Sequence, residues 1–242
     1  LRVGVPFLPA GDELRVGGQE SGPRRRRTPP AAQKCPRPRG RTGSIGTVTE
    51  NHAQPSPANP DDVVNPLLLQ AFAWDLPADS THWRLLADNA ALLADCGVSS
   101  VWLPPAYKGQ AGVEDVGYGV YDTYDLGEFD QKGTVPTKYG TKEDYLAAIE
   151  ALHAAGISVV ADIVLNHRMG GDATEVVRAT PVDPHDRTRT IGEAEEITAW
   201  TRYTFPGRAG AYSDFTWDWH CFNGIDWDER SGRSGIWLFE GK

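Results

Sequence analysis

Ile157-Ser158-Val159-Val160-Ala161-Asp162-Ile163-Val164-Leu165 runs directly into Asn166-His167. β-Branched residues are stiff about χ1 and favour an extended backbone, and an apolar run without regular polar alternation is the pattern of a strand covered on both faces. Gly156 precedes the run and offers a left-handed cap to a helix before it. That helix starts at Thr141-Lys142-Glu143-Asp144, a capping-box pattern, with Tyr145, Ile149 and Leu152 in phase behind it. Further upstream, Val98-Ser99-Ser100-Val101-Trp102-Leu103 reads as a second strand, closed by Pro104-Pro105, which cannot continue a central ladder. Trp83, Leu86, Ala90 and Leu93 recur at helical spacing between His82 and Cys96, and Gly97 repeats the cap. Pro66-Leu67-Leu68-Leu69-Gln70-Ala71-Phe72-Ala73-Trp74 supplies a first strand. Strand, helix, strand, helix, strand implies right-handed crossovers and three parallel strands, an α/β architecture.

After His167 this alternation stops. Residues 168–242 read as a small antiparallel β-domain inserted after the third strand. Its aromatic segments are Ala199-Trp200-Thr201-Arg202-Tyr203-Thr204-Phe205 and Asp214-Phe215-Thr216-Trp217-Asp218-Trp219-His220-Cys221-Phe222. Ile236 to Lys242 reads as the middle of a β-segment, so this domain is expected to be truncated. Residues 1–60, rich in Pro and Arg, lack apolar periodicity and read as a disordered tail. The expected organisation is therefore a tail over 1–60, an α/β part over 61–167 and the β-domain over 168–242.

Charge divides along the same boundary. Residues 1–60 carry ten Lys or Arg against four Asp or Glu, a net +6, which leaves −15 of the total −9 for residues 61–242. An acidic globular part disfavours nonspecific binding to nucleic acid or anionic membranes. No apolar run approaches the ~20 residues that span a bilayer, and no signal peptide is visible at the start, so compartment stays open. Cys35, Cys96 and Cys221 are odd in number and scattered, and are expected as thiols packed like small hydrophobes. No G-x-G-x-x-G follows the first strand, which argues against a dinucleotide site.

Polar residues just beyond parallel strands are the first functional candidates, because ligands bind at the carboxyl ends of such strands. Asn166 and His167 occupy that position: Asn offers a carbonyl oxygen to a hard cation, His a donor or acceptor to a hydroxyl, and a simple polar turn is the alternative. Asp162 is a carboxylate inside an apolar strand and must be compensated, by an Arg or through direct chemistry. The segment Asp115-Val116-Gly117-Tyr118-Gly119-Val120-Tyr121-Asp122-Thr123-Tyr124-Asp125 interleaves rings, glycines and carboxylates, a composition suited to a carbohydrate site or to local packing. Asp226-Trp227-Asp228-Glu229 is expected to be solvated or metal-linked rather than catalytic.

Taken in order, Gln70-Ala71-Phe72-Ala73-Trp74, Val101-Trp102-Leu103-Pro104-Pro105-Ala106-Tyr107-Lys108-Gly109, Asp115 to Asp122, Gly127 to Gly140 and Asp162 to His167 resemble the α-amylase family, in its liquefying bacterial branch. The likeness continues through Tyr203 to Arg208 and Phe222 to Glu229. The resemblance implies the first three strands of a (β/α)₈ TIM barrel with an inserted β-domain, and an endo-acting, retaining, calcium-dependent hydrolase of α-1,4-glucans that is monomeric at full length. By position it implies substrate binding at Trp74, Tyr118 and His167, support of the site from beneath by Asp162, and calcium ligation at Asn166 and Asn223, the latter with an amide where relatives often carry Asp. It also places the nucleophile, the acid/base and the third carboxylate on later barrel strands, so that this chain contains no catalytic residue and is expected to be inactive alone. A related α-glucosidase or transglycosylase, and a noncatalytic glucan- or calcium-binding module, are the alternatives.

Overall fold

The computed structural model describes residues 66–242. The tail over 1–60 and Cys35 lie outside the described residues. The elements in chain order are β1 (Leu68–Gln70), α1 (His82–Asp88), α2 (Ala90–Asp95), β2 (Ser100–Leu103), β3 (Lys108–Gly109), β4 (Val120–Asp122), α3 (Lys142–Ala154), β5 (Ser158–Ala161), β6 (Ala173–Val182), β7 (Glu195–Arg202), β8 (Gly224–Asp228) and β9 (Arg233–Phe239).

β1, β2 and β5 form a parallel sheet in that order, with Leu69 beside Val101 and Val101 beside Val159. Local signals account for the elements between them. The Thr141 hydroxyl accepts from Asp144 N and the Asp144 carboxylate accepts from Thr141 N, closing the capping box that starts α3. Gly97 and Gly156 both adopt positive φ, at 86° and 77°, as left-handed caps require. Trp83, Leu86, Tyr145, Ala148 and Leu152 pack with Val101, Leu103 and Ile157 into the main core.

Three expectations need correction. The helix between His82 and Cys96 is broken at Asn89, whose amide donates to Leu85 O at 2.8 Å while its main-chain N–H bonds Leu86 O at 3.3 Å. An Asn side chain that competes for the backbone in this way ends one helix and starts the next. The third parallel strand stops at Ala161, so Asp162 lies just beyond it rather than inside it; Ile163 and Leu165 are 62% and 83% exposed. Cys96 and Cys221 are exposed, not packed in a core.

A separate antiparallel sheet has the order β7-β6-β9-β8. Its inward residues alternate as a half-buried sheet demands: Val177 and Ala179 on β6, Ile197, Ala199 and Thr201 on β7, Trp237 and Phe239 on β9. The aromatic segment 214–222 is not a strand. Asp218 accepts from His220 N at 2.9 Å and turns the chain into a short 3₁₀ helix at Trp219–Cys221. No helix among the described residues is long and apolar enough to cross a membrane.

The long connection between β2 and α3 is held by buried charge. Lys108 is fully buried and donates to Phe129 O, Thr134 O and Val135 O at 3.2, 2.6 and 2.6 Å, with Asp125 at 3.6 Å. Asp125 in turn accepts from the N–H groups of Gly127, Glu128 and Phe129. Asp172, just before β6, ties the antiparallel sheet to this connection. It accepts from Tyr121 OH at 2.7 Å, Thr204 N at 2.7 Å and Phe205 N at 3.1 Å, and pairs with Lys132 at 3.3 Å.

Candidate functional site

The carboxyl ends of β1, β2 and β5 bring together four of the residues singled out in the sequence. Just past β1 the Trp74 ring stacks on Tyr118, centroids 5.9 Å apart and 7° from parallel, and Trp74 remains 64% exposed. Tyr118 comes from the connection after β2, where Gly117 turns the chain at φ 97° with no room for a Cβ beside Pro105. Its phenol donates to Asp162 Oδ2 at 2.8 Å, and the Trp102 indole donates to the same oxygen at 3.3 Å. Phe72 meets Trp102 edge-on at 5.3 Å and holds that ring in place. His167 Nε2 lies 2.8 Å from Tyr118 O; since a carbonyl only accepts, Nε2 carries the proton. Tyr107 OH accepts from Val164 N at 2.7 Å and fixes the exit of β5.

The electrostatics follow from these contacts. Burial, then the hydrogen bond and the charge of Asp162, push the Tyr118 phenol far above its ordinary pKa, so it stays a donor. The partners of Asp162 are a phenol and an indole, not an Arg, which answers the compensation question raised by the sequence. The result is a wet aromatic face with a carboxylate and an oriented imidazole behind it. Such a surface suits stacking against the C–H face of a sugar and hydrogen bonding to its hydroxyls.

Three other carboxylates of the β2–α3 connection, Asp115, Asp122 and Asp125, are committed to groups of the protein itself. Asp115 is buried and accepts from Gly117 N and Gly119 N at 2.8 and 3.1 Å. Asp122 is paired with Arg208 at 2.8 Å, both side chains 1% exposed. These acids fold the loop, so for them the local-packing alternative is the one the structure shows. Asp228 is likewise buried rather than solvated, accepting from Thr198 N at 2.9 Å, Arg230 N at 3.2 Å and Ser231 Oγ.

Asn166 and Asn223 are both exposed, and no hydrogen bond joins them among the described residues. Asn223 leads into β8, where its main-chain oxygen accepts from Phe239 N at 2.9 Å. The sequence reading missed one cluster. On the outer face of the antiparallel sheet, Glu229 Oε2 accepts from both Trp200 Nε1 and Trp227 Nε1, at 2.9 and 2.8 Å, and both rings are 40% exposed. The signal was present: alternation along β7 with Ala199 and Thr201 inward points Trp200 out.

Residues 69–201, more than half of the chain, match the family model described as Glycosyl hydrolase family 70. The α-amylase of Bacillus licheniformis is 52% identical over 179 residues, which are 74% of this chain and 35% of that protein. The glucan 1,4-alpha-maltohexaosidase of Bacillus sp. (strain 707) is 49% identical over 178 residues, 73% of this chain and 34% of that protein. The solved structure of truncated alternansucrase from Leuconostoc mesenteroides is 30% identical, with a TM-score of 0.49 over 57% of this chain and 13% of that one. This chain spans about a third of the length of the curated relatives it matches. With these motifs in order, the family 70 match over more than half of the chain and the bacterial α-amylase relatives show that the chain belongs to the α-amylase family of glycoside hydrolases.

Proposed function

We propose that this chain builds the substrate-side wall of an endo-acting, retaining α-amylase that cleaves α-1,4-glucosidic bonds in starch or glycogen. In this reading β1, β2 and β5 are the first strands of a (β/α)₈ barrel over residues 61–167, and residues 168–242 are a domain inserted after the third. The observation that carries it is the convergence of Trp74, Tyr118, His167 and Asp162 at the carboxyl ends of the parallel strands. A glucose ring stacked on the exposed Trp74–Tyr118 surface would set its hydroxyls against the His167 imidazole, whose Nε2 proton is held by Tyr118 O. The exposed Trp200 and Trp227 rings, clamped by Glu229, offer a second platform for a longer glucan.

Retaining hydrolysis needs two carboxyl groups about 5–5.5 Å apart. Among the described residues one carboxylate, Asp162, belongs to this cluster, and it is committed to Tyr118 and Trp102. The chain by itself is therefore proposed to bind glucan without hydrolysing it, as a noncatalytic module would. Calcium is the proposed structural ion. Asn166 and Asn223 fit a hard cation, because each is an exposed side chain carrying an amide oxygen, a donor that calcium takes. Calcium takes six to eight oxygens, and no group of three or more His, Cys, Asp or Glu gathers among the described residues, so these amides supply part of a set. The ion would cross-link segments through their oxygens. A transglycosylase is the second reading, favoured by the family 70 match.

Calorimetry of the chain with maltoheptaose should show saturable binding, at least tenfold weaker in Trp74→Ala, with no reducing sugar released. Grafting residues 66–242 into the matching segment of the B. licheniformis enzyme then reads the chemistry. Linear maltooligosaccharides support hydrolysis, and new branched or lengthened products support transfer. Absence of glucan binding in both proteins removes the proposal.

A further inference from the structure

Beyond the glucan surface, two arginines meet at a cavity of about 160 Å³ where the exit of β4 faces the segment from Phe205 to Trp217. Arg208 is engaged through two of its nitrogens: Nε donates to Asp122 Oδ2 at 2.8 Å, and Nη1 to Ala211 O at 2.6 Å and to Ser213 O. Asp122 also accepts from Tyr124 N and Gln131 Nε2, both at 3.0 Å. Arg168 is different. Its Nη2 donates to Thr123 Oγ1 at 3.2 Å, and its guanidinium lies 4.6 Å from the centre of the Trp217 ring. Its Nη1 is buried with no hydrogen-bond partner, and no carboxylate lies within 4.0 Å of it in any ion pair among the described residues.

The charge around the cavity does not balance. An Arg remains protonated in proteins, so two guanidiniums face one carboxylate, which Arg208 already holds. Burial works against the charge on Arg168, and Asp122 is the acidic group that counters it. Phe205, Phe215, Trp217 and Tyr124 complete the walls with rings and add no negative charge. A cavity with one surplus positive charge and one buried unpaired N–H is built for a counter-ion.

We propose that this cavity binds a small monovalent anion, of the size of a halide or a carboxylate group, between Arg168 and Arg208. The volume suits such an ion with a few waters, each taking about 30 Å³ in the liquid, and excludes ligands that need the roughly 300 Å³ or more of an ordinary small-molecule pocket. The bound ion supplies the acceptor that Arg168 Nη1 lacks. It also joins Arg168, on the stretch after β5, to the 205–217 segment that flanks the antiparallel sheet.

The test is the thermal unfolding midpoint of the full chain, titrated with sodium chloride, bromide, acetate and gluconate at matched ionic strength. An ion that binds only the folded state raises the midpoint along a saturating curve. Chloride, bromide or acetate should do so and gluconate, too large for the cavity, should not; the half-saturating concentration should rise at least tenfold in Arg168→Gln. Saturation by the halides alone identifies a free inorganic ion, and by acetate alone a carboxylate from a larger molecule. Identical curves for all four salts overturn the proposal, as does a shift that survives in Arg168→Gln. Where that variant does not fold, a bromide-soaked crystal of the unaltered chain decides through an anomalous peak at the cavity, water alone being the refuting result.

Discussion

Lys108→Met tests whether buried charge holds the connection between β2 and α3. The ammonium makes three hydrogen bonds to main-chain oxygens, at 2.6, 2.6 and 3.2 Å, and has no exposure to solvent. Methionine nearly matches the stem and donates nothing. Thr134 O keeps a bond from Gln131 N at 3.2 Å, but Phe129 O and Val135 O lose their ammonium donor and Asp125 loses a cation at 3.6 Å. Each buried acceptor left unsatisfied costs about 1–3 kcal/mol, and breaking a buried charge pair from one side costs about 3–5 kcal/mol. These ranges overlap because they count some of the same desolvation, so the expected loss is about 3–5 kcal/mol. With a total stability of about 5–15 kcal/mol, that is a large share of the fold. Urea unfolding followed by tryptophan fluorescence should show the midpoint falling by at least 1 M, taking a slope of about 1–3 kcal/mol per molar. Amide exchange should accelerate first across residues 129–135. A loss below about 1 kcal/mol, with unchanged exchange there, would refute the view that Lys108 organises the loop.

Three further outcomes follow from named contacts. For Asp172 burial raises the pKa, but the N–H groups of Thr204 and Phe205, the Tyr121 phenol and Lys132 together outweigh it, so the folded pKa lies below the ordinary value. A depressed folded pKa means that this stabilisation is present above the unfolded value near about 4 and is lost as pH falls through the folded one. Asp172→Asn should weaken the protein at neutral pH by about 1–3 kcal/mol and flatten its acid unfolding below about pH 4, read by circular dichroism; an unchanged acid limb contradicts this. Thr141→Ala removes the cap of α3 and should cost about 1 kcal/mol in the same urea assay, no loss implying that the capping box is replaceable. Trp200→Ala with Trp227→Ala should weaken maltoheptaose binding several-fold while leaving maltose binding as it was, and equal effects on both sugars would sink the second platform.

Some of this was legible in the sequence because the deciding interaction is local. Thr141 and Asp144 are three residues apart, and each glycine cap follows the helix it ends, so propensity and spacing suffice. Alternation along β7 was equally legible, although its outward Trp200 passed unnoticed. The site was legible as a set of positions but not as a set of bonds. Asp162 takes its two partners from 44 and 60 residues away, and no short-range rule tells a phenol and an indole from an Arg at that distance. The acids at 115, 122 and 125 left two readings open. Their composition suits a polar surface as well as local packing, whereas Asp115 and Asp125 serve the N–H groups of their own turns and Asp122 holds Arg208 from 86 residues away. Asn89 broke a helix because its amide reaches back one turn, a choice that hydrophobic spacing does not register.

The identity of Asp162's partners bears on chemistry as well as on folding. An Arg beside it would cancel its charge; a phenol and an indole hold its position and leave the negative charge in place. Glycoside hydrolysis passes through an oxocarbenium-like state, so under the proposed function a fixed carboxylate near the sugar stabilises the transition state more than the bound ground state. Asp162→Asn keeps an acceptor oxygen for Tyr118 and removes the charge. In the grafted enzyme this predicts a fall in kcat of about 10²–10³-fold, the size seen when one preorganised electrostatic group is removed, with KM nearly unchanged. A variant that raises KM instead while keeping kcat would mean that Asp162 only shapes the Tyr118 platform, and the electrostatic role would then have to be given up.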